Sequence, residues 1–437
     1  MRIKQISVSG LFGIFNHVIP LNMDERITII HSPNGFGKTV MLKMLDGFVN
    51  SRHSVFQDIP FDSFLVQFDN GSAIEITEKN SLENENDENN ITGKFYNSSA
   101  EVVEFNFNVM DLHSEKKDSS IYLWKDAYSL MLKRYRDSFA DSLPTKSTNL
   151  PNDKLEWLEE LKSAIPVRLI ESQRLLNFFP RGYVRLLDET PSRLPTVSAY
   201  SDELAELMQD KFTEYGTLSQ SLDRTFPVRV VKQRPSLEIT EKKLSSQLDE
   251  LEKTRSRLIE VGLLDKDENT DFQLQPQAID ESTKNILSVY VEDVERKLSV
   301  FSEIANKIEL LRRIINKKFA YSYKKINFSK EKGFVFTTCY NPSSVSEQKT
   351  LEPTDLSSGE QHELIMLYEL LFKVEPKTLV LIDEPELSLH VGWQVEFIKD
   401  LQEITELADL DILMATHSPD IIQNRWDLTV ELKGLEN

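Results

Sequence analysis

Short apolar alternations fill the first stretch of the chain. Ile3, Ile6, Val8, Leu11 and Phe15 are followed by Val18, Ile19 and Leu21, a spacing that predicts paired strands. Arg26-Ile27-Thr28-Ile29-Ile30 is a compact apolar strand, and Thr39 to Val49 continues as a helix with Val40, Leu42, Leu45 and Phe48 at helical spacing. Phe64–Phe68 and Ala73–Ile76 flank Asp69-Asn70-Gly71-Ser72 and read as a hairpin. Glu83 to Asn90 is acidic and apolar-free, a solvated loop tip.

The middle of the chain changes period. Leu237, Leu244, Leu251 and Leu258 repeat every seven residues, with Leu248 between them. Leu287, Val291, Val294, Leu298, Phe301, Ala305, Ile308 and Ile315 follow a 3,4 alternation. A 3.5-residue period suits an antiparallel coiled-coil pair with its tip near residues 263–277. A compact helical subdomain without a projecting arm satisfies the same pattern. Strands then return: Lys325–Phe328 and Phe334–Phe336 flank Glu331-Lys332-Gly333. Thr378 to Ile382 and Ile412 to Ala415 are near-continuous apolar runs. They are separated by a helix with Trp393, Phe397, Leu401, Ile404 and Ala408 on one face. Such runs predict parallel strands buried on both faces.

With 437 residues, 40% of them hydrophobic, the chain can form one large domain with an insertion or two to three ordinary ones. Lys and Arg number 51 against 71 Asp and Glu, a net charge of -20. That balance excludes a wholly basic nucleic-acid platform but leaves room for a local basic face. Candidates for one are Arg224, Arg229, Lys232 and Arg234, or Arg312, Arg313, Lys317, Lys318, Lys324 and Lys325. Cys339 is the only cysteine, so no intramolecular disulfide and no cysteine-held zinc is expected. No apolar run approaches the ~20 residues of a membrane span, and the N-terminus has no signal-peptide pattern. A cytoplasmic protein without membrane attachment is expected.

Between the apolar strand and the helix lies Ser32-Pro33-Asn34-Gly35-Phe36-Gly37-Lys38-Thr39. It fits the phosphate-loop pattern G-x-x-x-x-G-K-[ST] at every fixed position except the first, where Ser32 stands for glycine. Gly35 and Gly37 let backbone N–H groups wrap a phosphate, and the helix N-terminus adds further donors. Lys38 can reach the β- and γ-phosphates of ATP, and the Thr39 hydroxyl can ligate Mg²⁺.

Leu379 to Pro385 sets Asp383 and Glu384 at the carboxyl end of a buried strand, where open α/β sheets present ligands. Asp383 suits Mg²⁺, and Glu384 suits orientation and activation of the attacking water. Thr416-His417-Ser418-Pro419 ends the adjacent strand, placing His417 within reach of a γ-phosphate or that water. Leu356-Ser357-Ser358-Gly359-Glu360-Gln361 opens another helix. Ser357 and Glu360 have capping-box spacing, and the hydroxyls, glycine and helix N-terminus also make an anion site.

Taken in order, these motifs resemble an ABC-type ATPase, and the SMC/RecF/OLD branch rather than a transporter subunit. The resemblance implies an α/β fold: an ABC head with a mixed and parallel sheet core, interrupted by a helical hairpin. Residues 1–185 and 323–437 would be the two parts of the head, and 186–322 the insertion. It also implies Walker A at Ser32–Thr39, signature at Leu356–Gln361, Walker B at Leu379–Glu384, a D-loop at Glu386–His390 and a switch histidine at His417. Val167 to Arg174 looks like the strand and Q-loop, making Gln173 a Mg²⁺ or water contact. Gln57 and Gln67 are alternatives for that role.

Two heads of this family sandwich ATP head to tail, so Ser357, Ser358, Gly359 and Glu360 are expected to act in trans, in a dimer or higher even oligomer. OLD-type proteins carry a TOPRIM nuclease after the switch histidine, for which about 20 residues leave no room. Compact heads of this type resemble ATPase components of bacterial antiviral systems, which pair with a separately encoded effector such as a TOPRIM or HNH nuclease. A RecF-like repair ATPase that binds DNA, and a non-catalytic ATP-dependent scaffold, are the other two roles.

Overall fold

The structure is a computed structural model. It describes residues 1–50, 52, 54–78, 91–97, 102–106, 162, 164–171, 195–232, 240–266, 280–338 and 350–434. Gln173, Cys339, the Glu83–Asn90 stretch and most of the 263–277 turn lie outside them.

In chain order the first elements are β1 (Ile3–Leu11), β2 (Phe15–Pro20), β3 (Ile27–His31), α1 (Lys38–Val49) and α2 (Ser54–Asp58). Next come β4 (Ser63–Phe68), β5 (Ala73–Glu78), β6 (Ile91–Tyr96), β7 (Val102–Asn106) and β8 (Val167–Ile170). The helices α3 (Thr196–Lys232), α4 (Glu241–Glu260), α5 (Glu281–Ser299) and α6 (Ser302–Phe319) follow. Then come β9 (Lys324–Ser329), β10 (Gly333–Thr338), β11 (Thr350–Leu351) and α7 (Ser358–Tyr368). The chain closes with β12 (Leu379–Asp383), α8 (Val391–Ala408), β13 (Asp411–Thr416), α9 (Pro419–Ile422) and β14 (Thr429–Glu431).

These elements form two compact units, residues 1–172 with 374–437, and residues 173–373. The segment 323–373, which the sequence groups with the C-terminal part of the head, packs with the helices instead.

The first unit holds two sheets. One is antiparallel, in the order β2-β1-β4-β5-β6-β7; the other is parallel, in the order β14-β3-β13-β12-β8. A shared core of Ile6, Val8, Leu42, Phe48, Phe64 and Leu381 joins both sheets and α1. Leu381, Leu413 and Ala415 face that core. Their alternates Val380, Ile382, Ile412 and Met414 are buried too, on the opposite face, which is why these strands read as unbroken apolar runs.

At the amino-terminal edge of the parallel sheet, Asp411 collects two guanidinium groups. Arg2 Nη2 and Nε lie 2.6 and 2.8 Å from its two oxygens, and Arg26 Nε lies 2.9 Å from Oδ1. Arg2 precedes β1, so the pair ties the antiparallel sheet to the parallel one. Among the described residues no helix is long and apolar enough to cross a membrane.

The second unit departs from the expected hairpin. Asp223 meets Lys297 at 2.7 Å, Arg229 pairs with Asp293, and the Tyr215 and Phe301 rings lie 5.3 Å apart. Residue numbers fall along α3 as they rise along α5, so α3 is the antiparallel partner. α4 runs the other way. Glu241 faces Lys284 at 3.7 Å, Arg257 Nη2 meets Glu309 Oε2 at 2.7 Å, and Glu260 meets Arg312 at 2.7 Å. Residue numbers rise together on the two sides, so α4 is parallel to α5 and α6.

The single second helix implied by the 3,4 pattern is broken at Val300-Phe301, where the fully buried Phe301 caps α6. The start of the expected tip lies against β9. Gly262 has φ +78°, a side chain there would meet the Phe328 carbonyl oxygen at 2.2 Å, and Asp265 pairs with Lys330 at 2.6 Å. A three-stranded antiparallel sheet, β11-β10-β9, completes the unit.

Replacing Asp411 with Ala leaves two half-buried guanidinium groups without their shared acceptor. It should lower unfolding stability by about 2 kcal/mol, read from urea denaturation. An unchanged midpoint would mean that water replaces the carboxylate at no cost.

Candidate nucleotide site

Strand register creates the site. His31 sits opposite Thr416, and Ala415 opposite Asp383, so β3, β13 and β12 end at one level; β8 ends beside β12, with Ile170 opposite Ile382. The phosphate loop leaves β3 at that edge and enters α1. Gly35 and Gly37 both take positive φ, +88° and +87°. At Gly37 a side chain would also meet Leu11 Cδ2 at 2.6 Å, so this position needs glycine twice over.

Ser32 is buried and continues the backbone out of β3 without a positive φ, which explains why glycine is dispensable there. Pro33, Asn34 and Phe36 complete the loop. Phe36 is gripped from β2: its carbonyl oxygen lies 2.9 Å from His17 Nε2, and its ring packs on Phe15 at 5.3 Å. The sequence reading missed this brace, since His17 lies in a strand far from the motif.

Lys38 is 5% exposed, and its ammonium donates to the carbonyl oxygens of Ser32 at 2.7 Å and Pro33 at 3.1 Å. Burial holds its pKa below the ordinary lysine value, against the pull of Glu384, Glu386 and Asp383. Thr39 Oγ1 donates to Asp383 Oδ1 at 3.0 Å, joining the phosphate loop to the end of β12 across 344 residues of chain. Burial raises the Asp383 carboxyl above its usual range; the Thr39 hydrogen bond opposes the shift and Glu384 adds to it. A hydroxyl and a carboxylate side by side form the all-oxygen donor set that suits Mg²⁺.

Glu384 follows with φ +43° and ψ 58°, a left-handed conformation uncommon outside glycine. Its backbone N–H donates to Ala415 O at 2.9 Å, which fixes the bend. Strain of this kind concentrates at functional positions. His417 comes off the end of β13, with Nδ1 3.8 Å from Glu384 Oε1 and 3.1 Å from Glu386 Oε1.

Of the three glutamines considered, Gln173 lies outside the described residues, although Glu171 follows β8 at the same sheet edge. Gln57 is exposed on α2, and Gln67 pairs with Gln5 inside the antiparallel sheet; neither belongs to the edge described above.

The second anion site belongs to the other unit. Ser357 caps α7 and accepts from Glu360 N, while Glu360 Oε2 accepts from Ser357 N at 2.8 Å. Ser357 and Ser358 are exposed, with Gly359 partly so. Glu360 turns inward. It is 3% exposed and accepts from Lys324 Nζ at 2.7 Å and Ser322 Oγ at 2.6 Å. Burial pushes its pKa up, but the Lys324, Ser322 and Ser357 hydrogen bonds outweigh burial and leave it lowered. Its carboxylate supports the turn and is not offered to a ligand.

A phosphate-loop motif, a hydroxyl–carboxylate pair, a strained glutamate and a histidine on one edge of a parallel sheet make this edge the candidate nucleotide site. The profile of the AAA ATPase domain family matches residues 1–422, and the chain belongs to that family. The order of its motifs resembles that of ABC-type ATPases of the SMC/RecF branch. Sporulation-specific protein 15 of Schizosaccharomyces pombe is 24% identical over 245 residues, covering 52% of this chain but only 12% of that protein. Among solved structures, the chain is similar to an Smc head domain with an extended coiled coil, bound to the C-terminal domain of ScpA and derived from Pyrococcus furiosus. That match has 12% identity, 99% of this chain, 94% of the other and a TM-score of 0.35. An SMC head domain from Thermotoga maritima matches at 10% identity, 97% and 92% coverage and a TM-score of 0.33.

His17 links the site to pH. Burial depresses its pKa below 6.5, against hydrogen bonds to Phe36 and Asn16 that raise it. A group with a depressed folded-state value binds a proton more readily once unfolded, so its stabilising contribution is complete above 6.5 and lost as pH falls below it. Thermal melting from pH 8 down to 5 should therefore show a loss of stability below that point that is smaller in His17→Gln. Parallel curves for the two proteins would contradict the assignment.

Proposed function

We propose that the chain binds ATP with Mg²⁺ and hydrolyses it, and that two heads share each ATP head to tail. The observation that carries the reading is the Thr39–Asp383 hydrogen bond, with Glu384 and His417 beside it, on the edge where the phosphate loop begins. Backbone N–H groups of Gly35 to Lys38 cradle the β-phosphate, and Lys38 exchanges the carbonyls of Ser32 and Pro33 for the β- and γ-phosphates. Thr39 and Asp383 would hold Mg²⁺, with Gln173 as a further contact, and the ion would supply positive charge against the phosphates.

Glu384 accepts a proton from the attacking water. The oxygen of that water bonds to the γ-phosphorus as the bond to the bridging oxygen breaks, releasing ADP and phosphate. His417, beside Glu384, orients the attacking water. Ser357, Ser358 and Gly359 of a second chain supply exposed hydroxyls and helix-end N–H groups to the same phosphate, with Glu360 holding that turn in shape.

Hydrolysis of this kind makes a switch. We assign its output to a separately encoded effector, such as a TOPRIM or HNH nuclease, in bacterial antiviral defence in the cytoplasm. The resemblance of this compact head to such ATPase components supports that role, and the net charge of -20 speaks against DNA as the primary partner. Four of the ten candidate basic-face residues, Arg229, Arg312, Lys318 and Lys324, pair with carboxylates. Co-expression with the product of the neighbouring reading frame tests the role, because the partner should co-purify only with a chain that retains Lys38. Retention by Lys38→Ala would sever the output from the nucleotide.

Glu384→Gln should bind ATP as the wild type does and lower kcat about 100-fold or more. Unchanged turnover would remove Glu384 from the chemistry and leave an ATP-binding scaffold.

A further inference from the structure

The proposed chemistry uses Glu384 and His417 but leaves Glu386 without a task. Glu386 lies in the short 3-10 turn Pro385–Leu387, and its side chain is 6% exposed. One carboxylate oxygen, Oε1, accepts a hydrogen bond from the backbone N–H of His417 at 2.9 Å and lies 3.1 Å from ring Nδ1 of the same residue. The other oxygen, Oε2, is buried and has no hydrogen-bond partner among the described residues. A carboxylate half-satisfied in the interior is costly, and such groups call for an explanation.

The turn that carries it is braced independently. Gln394 donates to the carbonyl oxygens of Leu389 at 3.2 Å and Glu386 at 3.5 Å, and accepts from Ser418 Oγ at 2.8 Å. Gln394 thus joins the segment after β12 to the segment after β13 without help from the Glu386 carboxylate. What the carboxylate adds is specific to His417.

We infer that Glu386 is a positioning residue that holds His417 in one ring orientation with the proton on Nδ1, leaving the Nε2 lone pair free to accept a hydrogen bond from the attacking water. A carboxylate on one ring nitrogen sets the tautomer and so the chemistry available at the other. Glu384, 3.8 Å from the same Nδ1, competes weakly for that proton; Glu386 wins by distance and frees Glu384 for the water. This rests on the proposed hydrolysis at the same site.

A double-mutant cycle on the full chain tests it, with ATP turnover, binding of a non-hydrolysable ATP analogue and thermal melting read in parallel. Glu386→Ala should lower kcat as far as His417→Ala does, with analogue affinity kept. The double variant should be no slower than His417→Ala alone, within about twofold. Glu386→Gln, whose amide oxygen can accept both N–H groups, should recover most of the turnover.

Equal losses from Glu386→Ala in the wild-type and His417→Ala backgrounds would reduce Glu386 to a structural brace and overturn the inference. So would a Glu386→Ala chain with wild-type kcat. Nitrogen-15 imidazole spectra of the wild-type chain, with His417 assigned among the seven histidines by difference from His417→Ala, give an independent reading. The Nδ1–H tautomer is expected, and the Nε2–H tautomer would also overturn it. If Glu384→Gln turns over normally the hydrolysis reading itself fails; if Glu384→Gln is dead and Glu386→Ala is not, only this inference fails.

Discussion

Everything in the first unit depends on parallel strands ending at one level. The pairing of His31 with Thr416 brings together residues 385 positions apart, and that of Ala415 with Asp383 sets β12 at the same level. The hydrogen bond from Thr39 to Asp383 can form only because of that register. A one-residue slip would send each strand's side chains to the opposite face, where the close-packed neighbours do not fit them. The packing that stabilises the sheet therefore also sets the spacing of the chemistry. At the far end of the same strands, Arg2 and Arg26 on Asp411 fix where β13 starts.

Much of this edge is legible in the sequence because its signals are local. Gly35 and Gly37 take the conformation their motif requires, and the apolar runs before Asp383 and His417 are parallel strands. What the sequence hides is non-local. His17 braces Phe36 from another sheet, and Glu386 turns back onto His417 across 31 residues; neither leaves a periodic trace. The long helix α3 is hard to read for a different reason. It buries apolar residues mainly over Val197 to Met208, and the remainder is largely exposed and polar, so no continuous stripe marks it.

The helical segment shows a limit of periodicity. The heptad of leucines at 244, 251 and 258 is buried as a seam should be, yet a seam does not carry direction. Only the ion pairs from Glu241 to Lys284 and from Glu260 to Arg312 reveal that α4 runs with α5 and α6. Glu360 shows a related ambiguity. A capping box and an anion site share one spacing, and the structure gives the carboxylate to Lys324, Ser322 and Ser357 while leaving Ser357 and Ser358 exposed.

The central claim is that the phosphate-loop edge is half of an ATP site and that a second chain closes it with the turn at Ser357–Gly359. Complementation between two inactive chains tests this most directly. One carries Lys38→Ala and the other Ser357→Arg, each purified alone and then mixed at equal concentration. In a mixed head-to-tail pair both lesions fall on the same site, so the other site is intact in every mixed dimer. The account predicts that mixing restores ATP turnover that neither chain shows by itself. A mixture as inactive as its components, with both chains folded, would contradict it.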